Sequence, residues 1–133
     1  MLATEGKNKV LDAVFKTGLA NPAWKVGLMS GDDPPEFSAD DTLASHVGWV
    51  EFTSYSDEGR QAFTPGEVSE AAVDNVDAKA VFHLNATGKV AGFFITDAAS
   101  GTGGVLIGAV LFDSGIKDVD DGDILHITVT FSE

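Results

Sequence analysis

Four apolar segments in the second half of the chain constrain its fold more than any other feature: AKAVFHLN (78–85), KVAGFFIT (89–96), GVLIGAVLF (104–112) and ILHITVTF (124–131). Each has strand length, and glycine, aspartate or serine punctuates the chain between them. In the first, Ala80, Phe82 and Leu84 share one face, and Lys79, Val81, His83 and Asn85 the other. In the last, Leu125, Ile127, Val129 and Phe131 oppose His126, Thr128 and Thr130. Alternation with period two belongs to sheets. ATG at 86–88 predicts a hairpin connection between the first two segments. No βαβ rhythm is present, so a parallel sheet is not expected.

Upstream, AWKVGLMS (23–30) reads as a further strand, with Trp24, Val26 and Leu28 alternating against Lys25, Gly27 and Met29. Before it, Val10, Leu11, Val14 and Phe15 recur at helical spacing, which predicts an amphipathic helix over 4–17. Thr4 is its expected N-cap and Gly18 its stop. ADDTLASH (39–46) suggests a short helical turn, and TPGE (64–67) a turn. Residues 49–63 have no clean period and predict a long loop or short strands anchored by Val50, Phe52 and Phe63. The fold expected is mainly β: a jelly-roll-like antiparallel β-sandwich with an N-terminal α-helix. One domain covers 1–133, with 1–18 as helix or arm and 23–133 as the sandwich.

Charge narrows the partners. Eight Lys and Arg stand against 21 Asp and Glu, a formal charge of −13. Such a surface repels phosphate, so no direct nucleic-acid partner and no anionic membrane is expected, and the acidity is compatible with a saline habitat. Cysteine is absent, which excludes disulfides, thiolate nucleophiles and Cys-ligated zinc. No secretory signal pattern is visible, and no apolar run reaches the ~18 residues needed to span a bilayer.

Signals for chemistry are weak. The three histidines, His46, His83 and His126, are 37 and 43 positions apart, without zinc-ligand spacing. No G-x-S-x-G elbow is present. A hydrolase built on His46 and an aspartate from 32–41 lacks a recognisable constellation; Asp32, Asp33, Asp40 and Asp41 read as turn and helix-start residues. GTGG (101–104) precedes a strand and lacks the Walker lysine, so it reads as a mobile loop. DVDDGD (118–123) fails the EF-hand pattern, because its fifth and sixth positions are Gly122 and Asp123. It reads as an acidic turn before the last strand. No catalytic residue, cofactor or metal site is therefore expected. Trp24, Trp49 and Tyr55 suit core or interface packing better than a sugar-stacking platform.

The succession TEGKNKVLDAVF, AWKVGLMSGDD, ADDTLASHVGWVE, TG-VAGFFIT and DGDILHITVTF resembles a family of small tailed-phage structural proteins that includes jelly-roll head decoration, or cement, proteins. The resemblance spans nearly the whole chain and rests on short phrases, of which ASHVGWVE and AWKVGLMSG carry it best. It implies a non-enzymatic virion protein, made in the host cytoplasm, that sits on the capsid exterior as a homo-oligomer, dimer or trimer. Its partner would be the major capsid protein. Phe15, Trp24, Trp49 and Tyr55 are the candidate interface residues. A tail or neck protein and a carbohydrate-binding β-sandwich are the alternatives.

Overall fold

A computed structural model describes residues 2–15, 24–32 and 35–132, with the side chains of 12–15 and 131–132 outside the described set. Helix α1 spans Thr4–Phe15. The strands are β1 (Lys25–Ser30), β2 (Glu51–Phe52), β3 (Gln61–Ala62), β4 (Ala72–Asp74), β5 (Ala80–His83), β6 (Gly88–Thr96), β7 (Leu106–Leu111), β8 (Lys117–Val119), β9 (Ile124–Ile127) and β10 (Thr130–Ser132). All of their pairings are antiparallel. The protein is thus mainly β, sandwich-like, with an N-terminal helix.

The main sheet runs β2-β1-β6-β7, with β3 extending the β2 edge along β1 and β8 extending the β7 edge along β6. Facing it is a ribbon in which β5 pairs β9 and β4 pairs β10. Asn75, almost wholly buried, joins the two halves of this ribbon. Its side chain donates to the Ile127 carbonyl (3.2 Å) and accepts from the Val129 N–H (2.7 Å), replacing ladder bonds that the irregular 75–79 segment cannot make.

Between the layers lie Val26, Leu28, Phe82, Leu84, Val90, Ile95, Ile127 and Val129. The inward face expected for β5 is found: Ala80, Phe82 and Leu84 are buried and His83 is exposed. In β1 the alternation fails, because Val26 to Met29 are all buried. The reason is a second core on the outer face of the main sheet, where Ala3, Met29, Leu43, Trp49, Phe94 and Leu106 pack together. A sheet covered on both faces reads as continuously apolar. Gly27 permits this second core, since a Cβ there would strike the Phe94 ring.

Three local expectations are corrected. The 86–88 segment is a crossing between layers and not a hairpin, since β5 pairs β9 while β6 pairs β1, β7 and β8. Alternation reports faces and says nothing of which strands neighbour one another. Residues 39–46 form no helical turn: Thr42 and Ser45 exchange backbone bonds of 2.9 and 3.1 Å around Leu43, whose side chain is drawn into the core. The N-cap is Ala3 and not Thr4, because the Ala3 carbonyl accepts the Lys7 N–H at 3.0 Å. Gly18 lies outside the described residues.

The helix is docked from its first turn. Glu5 Oε1 accepts the N–H groups of Leu43 (3.0 Å) and Leu106 (2.6 Å), tying α1 to a loop and to β7. Gly6 sits against the Ile107 backbone with no room for a Cβ. The start of α1 is therefore part of the fold and not a detached arm.

Candidate functional site

Trp49 is 3% exposed and belongs to the outer core. Its indole N–H donates to Asp41 Oδ2 (3.1 Å), the His46 ring stacks on it at 3.7 Å, and its carbonyl accepts the His46 Nδ1–H (2.9 Å). Asp41, also buried, accepts the Ser38 N–H at 2.9 Å through the same Oδ2. Of the core and interface roles open to Trp49, a candidate interface residue, the structure shows the core one: a buried carboxylate satisfies the indole N–H, and the ring fills a core. These bonds also take up the His46 and aspartate of the hydrolase reading, since Asp41 Oδ2 and His46 Nδ1 each bond to Trp49 and not to one another.

Tyr55 is 9% exposed, its ring edge-on to Phe82 with centroids 4.9 Å apart. Burial, and then the charge of Glu51, pushes its phenol up to about 12. Of the core and interface roles open to this candidate interface residue, the structure shows the packed one: the chain at Tyr55 bridges to Leu84 and its ring lies against Phe82. Tyr55 does reach the wall of a cleft of about 220 Å³, together with Glu51, Asp57, Glu58, Arg60 and Ser100.

Arg60 organises that cleft. Only 6% exposed, it donates from Nε and Nη2 to the two carboxylate oxygens of Glu51 (2.9 and 2.8 Å). It also donates to the carbonyls of Ala98 (3.0 Å) and Gly101 (2.8 Å). Its guanidinium lies 5.2 Å from the centre of the Phe94 ring. The glycine-rich 101–104 loop, expected to be mobile, is thus held at its base by a buried cation. On the rim, Asp57 Oδ2 accepts the His83 N–H (2.7 Å) and Oδ1 pairs with His83 Nδ1 (3.0 Å). Burial acts to raise the Asp57 carboxyl, but the His83 backbone and ring outweigh it and hold the group below the ordinary carboxylate value.

Trp24 is the candidate that remains at the surface. Partly buried, it lines a groove of about 330 Å³ with Val10 of α1, Phe63, Pro65, Val68 and Val73. Val10 is 45% and Val68 75% exposed. The far lip is a hairpin that sequence reasoning missed: Ser69 and Ala72 exchange two backbone bonds of 2.9 Å around Glu70 and Ala71, which have φ of 51° and 60°. That turn is of the I′ kind, normally written with Asn and Gly. Phe15 ends α1, and its side chain lies outside the described residues.

In DVDDGD the carboxylates serve the turn. Asp123 Oδ2 accepts the Asp120 N–H (2.8 Å), and Asp118 pairs with Lys89 (2.7 Å). Gly122 takes φ of 92° and donates to the Leu84 carbonyl (2.8 Å), so the turn closes on the end of β5. Among the described residues no group of three or more His, Asp and Glu side chains is arranged to hold a metal. His126 is exposed on β9.

Fold and surface define a mainly β antiparallel sandwich with a docked helix, an apolar groove beside that helix and an acidic cleft built on a buried arginine. No protein-family model and no curated protein matches the chain. No helix among the described residues is long and apolar enough to cross a membrane.

Proposed function

We propose that this chain is a structural virion protein that binds the outer surface of a tailed-phage capsid and stabilises the lattice of major capsid proteins. The phrases ASHVGWVE and AWKVGLMSG support the reading by resemblance. The observation that carries it is the groove, where large apolar side chains stay solvent-accessible between α1 and a protruding hairpin. Exposed apolar patches framed by structured elements mark contact sites with other proteins. Capsid clamping needs no chemistry, because many weak symmetric contacts resist outward pressure through avidity. An acidic exterior keeps such a clamp off DNA.

Cosedimentation of the purified protein with undecorated heads, beside light scattering on the protein alone, tests this. Saturable binding at a fixed ratio to the major capsid protein, with greater heat resistance of the heads, is the expected result. A Val10→Asp/Val68→Asp variant should keep its fold by circular dichroism and bind heads at least about tenfold more weakly, the loss expected when contact residues are made polar. Failure of the native chain to bind heads would shift the assignment to the tail, the neck or a glycan-binding module.

A further inference from the structure

The ribbon facing the main sheet is finished along one side and open along the other. On the β4–β5 side the outward backbone groups are taken up. The Asp74 carbonyl accepts the Gly66 N–H (2.7 Å), and Ala72 and Ser69 exchange bonds of 2.9 Å. At His83 the carbonyl accepts the Ser56 N–H (2.9 Å) and the N–H donates to Asp57 Oδ2 (2.7 Å). Elsewhere, β7 is met at its edge by Leu2 and Ala3, and β2, β3 and β8 are only two or three residues long.

The strand on the other side, β9 continued by β10 over 124–132, has no such cover. Asn75 fixes its orientation: the Val129 N–H, the Val129 carbonyl and the Ile127 carbonyl all bond to Asn75, so they face β4 and β5. Alternation along a strand then turns the N–H and carbonyl groups of Ile124, His126, Thr128 and Thr130 the other way. There β9 and β10 have no neighbouring strand, and these outward groups have no partner among the described residues. The same residues are exposed.

An open edge of this length, about 30 Å, is a template for another strand. Folds that keep such an edge to themselves blunt it with lysine, proline, a bulge or a covering loop. The segment ILHITVTFS carries no charge and no proline, and no register shift interrupts its pairing with β5 or with β4.

We infer that this edge takes the same strand of a second copy, antiparallel, so that two ribbons join into one sheet across a two-fold axis. Main-chain donors and acceptors at alternate positions call for an extended segment as occupant. Charge selects which segment. In a chain of formal charge −13, two copies meet at least cost where acids are absent, and 124–132 contains none. A basic strand of another protein would find no carboxylate along this stretch to pair with. The edge is also its own complement: with residue 126 of each copy across from residue 128 of the other, every outward N–H and carbonyl from 124 to 130 meets its counterpart. Threonine and isoleucine at these positions suit cross-strand contact.

The groove beside α1 uses none of these residues, so the inference goes beyond the capsid reading and is tested without heads. Sedimentation velocity of the full chain from about 5 µM to about 1 mM should show reversible dimerisation, with a dissociation constant of roughly 10–100 µM. Amide exchange followed by NMR supplies the signature of edge pairing. The N–H groups of His126, Thr128 and Thr130 should gain protection as concentration rises, whereas those of Ile127 and Val129 are protected throughout. Thr128→Pro removes an outward N–H and no bond of the fold, and His126→Lys/Thr128→Lys sets like charges across the junction. Each should weaken dimerisation at least about tenfold with the circular dichroism unchanged. The lysine variant also lowers the net charge, so it would strengthen an association governed by general repulsion.

A chain that stays monomeric over this range, or that assembles as a trimer, would overturn the inference. So would a dimer in which the 126, 128 and 130 amides still exchange freely, since its interface would lie on another face. Protection of those amides only when heads are added would give the edge to a capsid strand and overturn the second copy as its occupant.

Discussion

Replacing Ala71 by glycine should stabilise this protein, against the usual cost of introducing glycine. Ala71 has φ of 60° and Glu70 φ of 51°, in the left-handed region where a Cβ crowds the backbone. Strain there is about 1–2 kcal/mol per L-residue. Glycine removes it, while its greater freedom in the unfolded chain takes back about 0.5–1 kcal/mol. Both residues are exposed, so no packing is lost. The net gain for Ala71→Gly is therefore about 0.5–1 kcal/mol, and adding Glu70→Asn, an αL-tolerant residue, should bring it to about 1–2 kcal/mol. For a chain of this size that corresponds to a rise in Tm of roughly 3–8 °C. Urea denaturation should show a higher midpoint at unchanged slope, because neither native nor unfolded compactness is altered. Ala71→Val, which adds β-branching at the same φ, should move the midpoint the other way. A midpoint lower than that of the native chain for Ala71→Gly would refute the reasoning, since that variant changes neither charge nor contacts.

Two further outcomes follow from the cleft. Arg60→Met should cost about 3–5 kcal/mol in urea denaturation, because it strands the Glu51 carboxylate and leaves the Ala98 and Gly101 carbonyls without their donor; a cost below about 1 kcal/mol would mean the network is dispensable. Tyr55, raised from 10.0 to about 12 in the folded chain, gives up its proton more readily unfolded, so its contribution is complete below pH 10 and is lost as pH rises to about 12. Stability of the native chain should fall across that window, and Tyr55→Phe, which cannot ionise, should flatten the decline. An equally steep decline in Tyr55→Phe would show that other groups are responsible.

What the sequence disclosed was local. The later strands were legible because alternation and punctuation coincide, and Ala80, Phe82 and Leu84 point where their period places them. Pairing was not, because neighbours are chosen by the whole fold; hence the 86–88 crossing read as a hairpin. The 69–72 hairpin was invisible for a different reason: Glu70-Ala71 lacks the Asn-Gly chemistry by which a I′ turn is recognised. Within the site, Trp24 was legible as an apolar residue opening a strand. Trp49 misled, since a tryptophan in an aperiodic stretch has no face until its indole N–H finds Asp41. Arg60 was missed entirely, because nothing in SDEGRQAF marks an arginine that will be buried among carbonyls.

Part of the acidity has a structural cause. Several strands here are two or three residues long, and short strands leave many loop N–H groups without ladder partners. Carboxylates fill the deficit. Glu5 accepts from Leu43 and Leu106, Asp41 from Ser38, Asp57 from His83, Asp74 from Val76, Asp97 from Val105, and Asp123 from Asp120. Bonds of this kind, neutral donor to ionised acceptor, are stronger than neutral pairs, and a lysine in the same place would offer no acceptor at all. These acids are therefore held at their positions by the backbone they satisfy, and their share of the net charge is a by-product of that role.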